Sequence, residues 1–225
     1  MSTLILTFLF GLFLGFKHSL EADHLTAVLT LSTQHKNSFR AALIGTFWGV
    51  GHTTTLFIVG LAVLLLKINI PTRVQLLLEL VVGVMLVSLG IRAFFKREII
   101  HEHLHQHDGH EHTHMHTDHS HRHRQSFFVG AVHGLAGSGA LMVLVLSTFH
   151  TVIEGIVYIL LFGLGSIFGM TVMSFLIGLP FTYAKSKLAR FNNLEHTLQR
   201  TAGVLSIIIG LGIVYEISII NHLFF

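Results

Sequence analysis

The sequence predicts an all-α, polytopic membrane protein of six transmembrane helices in two inverted three-helix repeats. Three observations carry this prediction. Of 225 residues, 52% are hydrophobic and only 11% charged, against about 25% charged in a soluble domain. Six long apolar stretches follow one another along the chain. The second half also repeats the first. With 21 glycines and only 2 prolines, the composition suits closely packed membrane helices.

The stretches run over residues 3–33, 42–66, 74–95, 126–149, 154–183 and 201–220. Each is long enough to cross a hydrocarbon core of about 30 Å at 1.5 Å per residue. The first would extend about 46 Å as one helix, too long for a straight span, so a tilt or a break is expected. It does not read as a cleaved signal peptide, because its cation, Lys17, follows the apolar run instead of preceding it. Residues 1–98 form the first repeat, 99–125 a His-rich loop and 126–225 the second repeat.

Laying His18–His35 on His133–His150 matches His18, Leu20, Val28, Leu29, Leu31, Ser32, Thr33 and His35 with identical residues. Further along, Gly51, Thr53, Phe57, Gly60 and Leu61 fall on Gly169, Thr171, Phe175, Gly178 and Leu179, and Gly83 and Gly90 on Gly203 and Gly210. Three spans per repeat is an odd number, so the halves are expected to lie in opposite orientations.

Charge sets the expected sidedness. Lys36, Arg40, Arg92, Lys96, Arg97, Arg122, Arg124, Lys185, Lys187, Arg190 and Arg200 gather on one side, and only Lys67 and Arg73 on the other. The positive-inside rule then puts the 96–125 loop in the cytoplasm and both termini outside. The expected location is the cytoplasmic (inner) membrane. A net charge of +3 arises from loops and needs no nucleic-acid partner; the expected partner is the lipid bilayer. With no cysteine, disulfides, thiolate metal sites and a thiol-relay membrane reductase are excluded.

The chemistry is concentrated in His18-Ser19-Leu20-Glu21-Ala22-Asp23-His24, inside the first stretch. Ionisable groups at the centre of a membrane cost about 2.5–3.5 kcal/mol each on insertion scales and by default mark an ion or proton pathway. Imidazole nitrogen and carboxylate oxygen suit divalent first-row metals such as nickel, cobalt and zinc. On a regular helix His18, Glu21 and His24 share a face while Asp23 points away, so local unwinding is needed for all four to converge. The bland alternative is a polar packing cluster satisfying itself.

His52, in Gly51-His52-Thr53, would by itself be a hydrogen-bonded packing residue; beside the first cluster it reads as a further metal ligand. His133 matches His18, but its segment, Gly134 to Gly139, lacks carboxylates, and it stays between ligand and structural roles. Met170, matching His52, reads as core packing first and soft ligand second. Glu79, Glu154 and Glu216 read as interfacial. The loop carries His101, His103, His105, His107, His110, His112, His114, His116, His119, His121 and His123. Such a tract cannot bury a core and is expected to be disordered and to buffer metal weakly.

The motif His18-x4-Asp23-His24 with Glu21, followed by Gly51-His52-Thr53, resembles that of the nickel/cobalt transporter family, in its short urease-accessory-type branch within the superfamily of small membrane exporters. The resemblance implies that His18, Asp23, His24 and His52 serve transport; Glu21, His133 and Met170 stay further candidates on the reading of the residues given above. Family permeases also carry an acidic motif in a later span, which Gly134 to Leu141 lacks, and the aspartate that accompanies Gly169-Met170 in the family is absent. The chain is therefore expected to be a secondary transporter of Ni²⁺, or Co²⁺, and not an enzyme. It is expected to hold no permanent cofactor, the ion being substrate. Import is the first reading, with cytoplasmic metallochaperones receiving the ion. Export, or a membrane metal sensor or chaperone without flux, are the alternatives. A metal-dependent hydrolase is remote, because no separate general base or nucleophile elbow is found.

Overall fold

The polar cluster of the first apolar stretch breaks it into two helices, and the rest of the bundle is arranged around that break. The computed structural model describes residues 2–33, 37–68, 70–95, 104–107, 110–113, 119–149, 151–187, 192–221 and 223. Helix α1 spans Ser2–His18 and α2 spans Ala22–Ser32; they are bent by 58°. Helix α3, Ser38–Leu66, begins where the Asn37 side chain accepts hydrogen bonds from the Phe39 and Arg40 amides, and ends on Lys67 in the left-handed region (φ 50°). Such capping satisfies amides that have no partner inside the helix. Helix α4 spans Thr72–Phe95, α5 His119–Thr148, α6 Val152–Lys187 and α7 Asn192–Tyr215. A π-helical turn, Glu216–Ile220, continues α7.

Between α4 and α5, strands β1 (Leu104–His107) and β2 (His110–Thr113) pair antiparallel, with His105 opposite His112 and His107 opposite His110. The histidine tract, expected to be without structure, thus contains a backbone hairpin. It also gives its last residues to α5, which starts at His119, well before the apolar run at 126.

Among the described residues, four helices are long and apolar enough to cross a membrane: Ser38–Leu66, Thr72–Phe95, Val152–Pro180 and His196–Ile220. The bent α1–α2 pair makes a fifth if counted as one span. The protein is a polytopic all-α membrane protein, with four or five of the expected six spans found among the described residues. The first stretch is a broken pair, because four ionisable groups compete with regular helix there. Helix α5 is not among the candidates; its described side chains end at Gly137, within its apolar half.

Helix α3 packs on both α5 and α6, while α1 packs on α6 and α4 on α7. Small residues let the backbones approach. An added Cβ at Gly90 would meet the Gly203 carbonyl oxygen at 2.5 Å, and one at Gly210 the Gly83 oxygen at 2.7 Å. Rising residue numbers on α4 meet falling numbers on α7, so the two run antiparallel. The same holds for α3 and α6, where Gly45 faces Met170 and Ser174 while Thr53 faces Gly163. Buried hydroxyls tie the same seams: Ser126 Oγ donates to the Ile44 carbonyl (2.7 Å), Ser166 Oγ to Gly15 (3.1 Å) and Ser206 Oγ to Leu86 (2.8 Å). These donors have no water to turn to in lipid.

The core includes Trp48, Leu86 and Met170, each fully buried. Ile5, Leu9, Phe13, Ile58, Leu66, Phe168 and Leu211 point outward and exposed, a surface suited to lipid. The glycine seams give a direct test on one helix. Gly210→Ala, whose Cβ would meet Gly83 and Val87, should lower the melting temperature in detergent by several degrees, from overpacking of about 1–3 kcal/mol. Gly212→Ala, with nothing within 4 Å, should leave it unchanged or raise it. Equal shifts would remove the α4–α7 seam as a determinant of stability.

Candidate metal centre

The break is built by short-range bonds. The amides of Leu20 and Glu21 donate to the carbonyls of Lys17 and His18 (3.0 Å each), and Ser19 Oγ donates to Phe16 (2.6 Å). Glu21 is then extended (φ −64°, ψ 150°) and caps α2, its carbonyl accepting from the Leu25 amide. Asp23 lies in the first turn of α2 and accepts from the His24 amide (2.8 Å), where the helix dipole favours negative charge. The C-terminal end of α1, carrying His18, and the N-terminal end of α2 therefore meet inside the bundle. Half-helix ends of this kind are the usual framework of ion sites at membrane depth.

Two carboxylates organise the imidazoles. His18 Nδ1 lies 2.9 Å from Glu21 Oε2. Asp23 uses both oxygens: Oδ1 lies 2.9 Å from His24 Nδ1, and Oδ2 lies 2.9 Å from Nε2 of His133 on α5. His52 enters from α3. The ring centroids of His18 and His24 are 4.3 Å apart, His24 and His52 5.2 Å, His18 and His52 5.5 Å, and His24 and His133 4.2 Å. Trp48 closes the cluster, its ring 5.4 Å from those of His24 and of His133.

What these rings lack matters most. His24 Nε2, both nitrogens of His52 and His133 Nδ1 are buried without a hydrogen-bond partner among the described residues. A buried polar atom left unpaired costs about 1–3 kcal/mol. Two sets of donor atoms each lie within 4.8 Å of one another: His18, His24 and His52, and Asp23, His24 and His133. Imidazoles whose second nitrogen is held by a carboxylate are the usual form of histidine metal ligands. His18 with Glu21, and His24 with Asp23, have that form. The donor set fits a divalent first-row metal.

The structure thus brings His18, Asp23, His24 and His52 into one cluster, although Asp23 and His52 fall in different donor sets. Glu21 orients His18, and His133 holds Asp23. Met170 is fully buried, in the core with Trp48, Val82 and Ala136. In the loop, His105, His107, His110 and His112 lie in the hairpin, and His119, His121 and His123 in α5, where the His123 ring lies tilted against Phe47 with centroids 4.7 Å apart. His101, His103, His114 and His116 lie outside the described residues.

A cavity of about 640 Å³ opens onto the cluster. Its lining includes Lys17, His18, Glu21, Asp23, His24 and His133, and also Glu79 and Glu216. The last two were expected at membrane interfaces.

Long apolar helices around a broken one, with buried imidazoles and carboxylates at the break, define a multi-pass membrane protein with a candidate metal site. The chain belongs to the family described as cytochrome C biogenesis protein transmembrane region, matched over residues 57–212, and to the UreH type of urease accessory membrane protein. It is 37% identical over 218 residues to the urease accessory protein UreH of Bacillus sp. (strain TB-90), covering 95% of this chain and 92% of that one. The chloroplast proteins FOR GROWTH AND FERTILITY 2 and 1 of Arabidopsis thaliana are 28% and 27% identical over 213 residues, 91% of this chain but 55% and 57% of theirs. No solved structure matches the chain. The family model and the UreH relative group the protein with membrane accessory proteins and not with enzymes. Without cysteine, thiol chemistry and cysteine-linked haem are closed to it whatever other family members do.

Asp23→Asn tests the centre. Losing the carboxylate that orients two histidines should weaken divalent-metal binding by about 10- to 100-fold, read by calorimetric titration of the purified protein. An unchanged Kd would remove Asp23 from the site.

Proposed function

We propose that this protein is a secondary transporter moving Ni²⁺, or Co²⁺, across the cytoplasmic membrane, with import as its direction. The observation that carries this reading is the group of His18, His24 and His52 at a helix break, in which His24 and His52 are buried and carry nitrogens without a partner among the described residues. An ion entering it exchanges water for imidazole while Glu21 and Asp23 hold the opposite ring edges. The likeness to a urease accessory protein favours nickel, the metal implied by the nickel/cobalt transporter motif. The cytoplasmic His-rich loop would accept the arriving ion and pass it to a metallochaperone.

The reading includes two inverted repeats, and exchanged contacts support it. The pair Gly83–Gly210 corresponds to Gly203–Gly90 when the halves are swapped, and Gly15–Ser166 corresponds to Gly130–Trp48. With α3 antiparallel to α6, the two halves would point in opposite directions. Rocking one half against the other would then expose the break to each side in turn.

Metal flux in proteoliposomes is the deciding experiment. Ni²⁺ or Co²⁺ flux should be present in the wild type and absent in a His18→Ala/His24→Ala double variant. Binding without flux for any ion would sink transport and leave a sensor or chaperone. Direction is read in cells: an importer rescues a nickel enzyme at trace metal, and an exporter confers resistance at toxic metal.

Acid should oppose the ion. Only neutral imidazole binds metal, so protons compete below the usual histidine pKa of about 6.5. Flux should be full at neutral pH and decline on acidification as protons compete for the imidazoles; flux that persists unchanged into the carboxylate range near about pH 4 would count against histidine ligation.

A further inference from the structure

Glu79 and Glu216 lie outside the donor sets yet line the same cavity. Glu79 stands on α4 seven residues beyond Thr72, about 10 Å along the helix. Glu216 opens the π-helical turn that follows α7, and that turn packs on α4. Because α4 and α7 are antiparallel, the start of α4 and the end of α7 lie at one end of the bundle. Two carboxylates from opposite halves of the chain therefore line one cavity at the end that carries the α3–α4 connection.

The lining has a direction. Glu79 and Glu216 are exposed, Asp23 is half-buried, and His24 and His133 are each 1% exposed. The His24 Nε2 and His133 Nδ1 atoms at the buried end have no hydrogen-bond partner among the described residues. Along the wall Glu21, Asp23, Glu79 and Glu216 face a single ammonium, Lys17. A cleft with low-dielectric walls and a surplus of one charge concentrates counter-ions. The donors also change in the order a dehydrating ion needs. Carboxylate oxygens at the mouth hold a divalent cation that keeps much of its water, and imidazoles at the buried end replace that water.

We propose that Glu79 and Glu216 form a carboxylate pair at the mouth of this cavity, which captures a hydrated divalent cation and delivers it to the histidine cluster. The inference rests on the transport reading above and adds to it the entry route and the residues that serve it. The pair raises the rate of capture without setting the affinity of the centre.

The test measures initial rates of Ni²⁺ flux against concentration in proteoliposomes, for the wild type, Glu79→Gln, Glu216→Gln and the double variant. Equilibrium Ni²⁺ binding is measured on the same purified proteins. The double variant should show KM raised about tenfold or more, with the maximal rate retained and Kd at the centre within about threefold. Wild-type KM should also rise between about 20 and 300 mM salt, and that of the double variant should rise less, because the mouth carboxylates that salt screens are gone. A Glu79→Asp/Glu216→Asp variant keeps both charges and should stay near the wild type. Wild-type KM and salt response in the Gln double variant would overturn the inference. So would joint loss of binding and flux, which would make the glutamates part of the centre or its fold. A wild type without flux sinks the transport reading and this route with it; a transporting wild type beside an indifferent double variant removes the route alone.

Discussion

The Asp23 carboxylate, with one oxygen on His24 and the other on His133, is the interaction around which the bundle is organised. Charge inside an apolar bundle is tolerated only where it is paired or faces water. Asp23 meets that condition by joining α2 to α5, elements far apart in the chain. Its position in the first turn of α2 adds the helix dipole and the His24 amide to its partners. The 58° bend between α1 and α2 follows, because a straight helix would point Asp23 away from His18 and His24.

Tight backbone packing is the counterpart of that polar centre. Gly134 lies against the backbone of His52, and Gly137 lies beside His18 and His52. The glycines that follow His133 therefore give α5 the close approach that seats His133 on Asp23. Trp48, fully buried, then covers the imidazoles with an apolar ring. A site with unpaired imidazole nitrogens and a rigid surround is organised for a ligand it does not itself supply, which is why metal transport is the reading proposed.

Much of the helical layout was legible in the sequence. The stretches expected at 42–66 and 74–95 correspond to α3 and α4, and that at 201–220 to the end of α7 with its π turn. Apolar runs of such length have few alternatives when every backbone group must be satisfied internally. The count of spans was less legible. The break in the first stretch turns one long run into a bent pair, and α5 draws His119 to Arg124 of the loop into its first turns. A hairpin within the histidine tract was not foreseen, since composition reports the inability to bury a core and says nothing of local backbone pairing.

By itself the sequence determined that the chain is a cysteine-free membrane protein whose ionisable groups within apolar stretches concentrate at His18 to His24, with His52 in the next stretch. Composition and spacing suffice for this, because charge inside an apolar run is costly wherever that run packs. Only the tertiary structure decided the partners. It set His133 on Asp23, left Met170 in the core, divided the donors between two overlapping sets, and brought Glu79 and Glu216 to one cavity. Those outcomes depend on which helices cross and at what register, and contacts between residues a hundred or more positions apart leave no periodicity for a sequence to display.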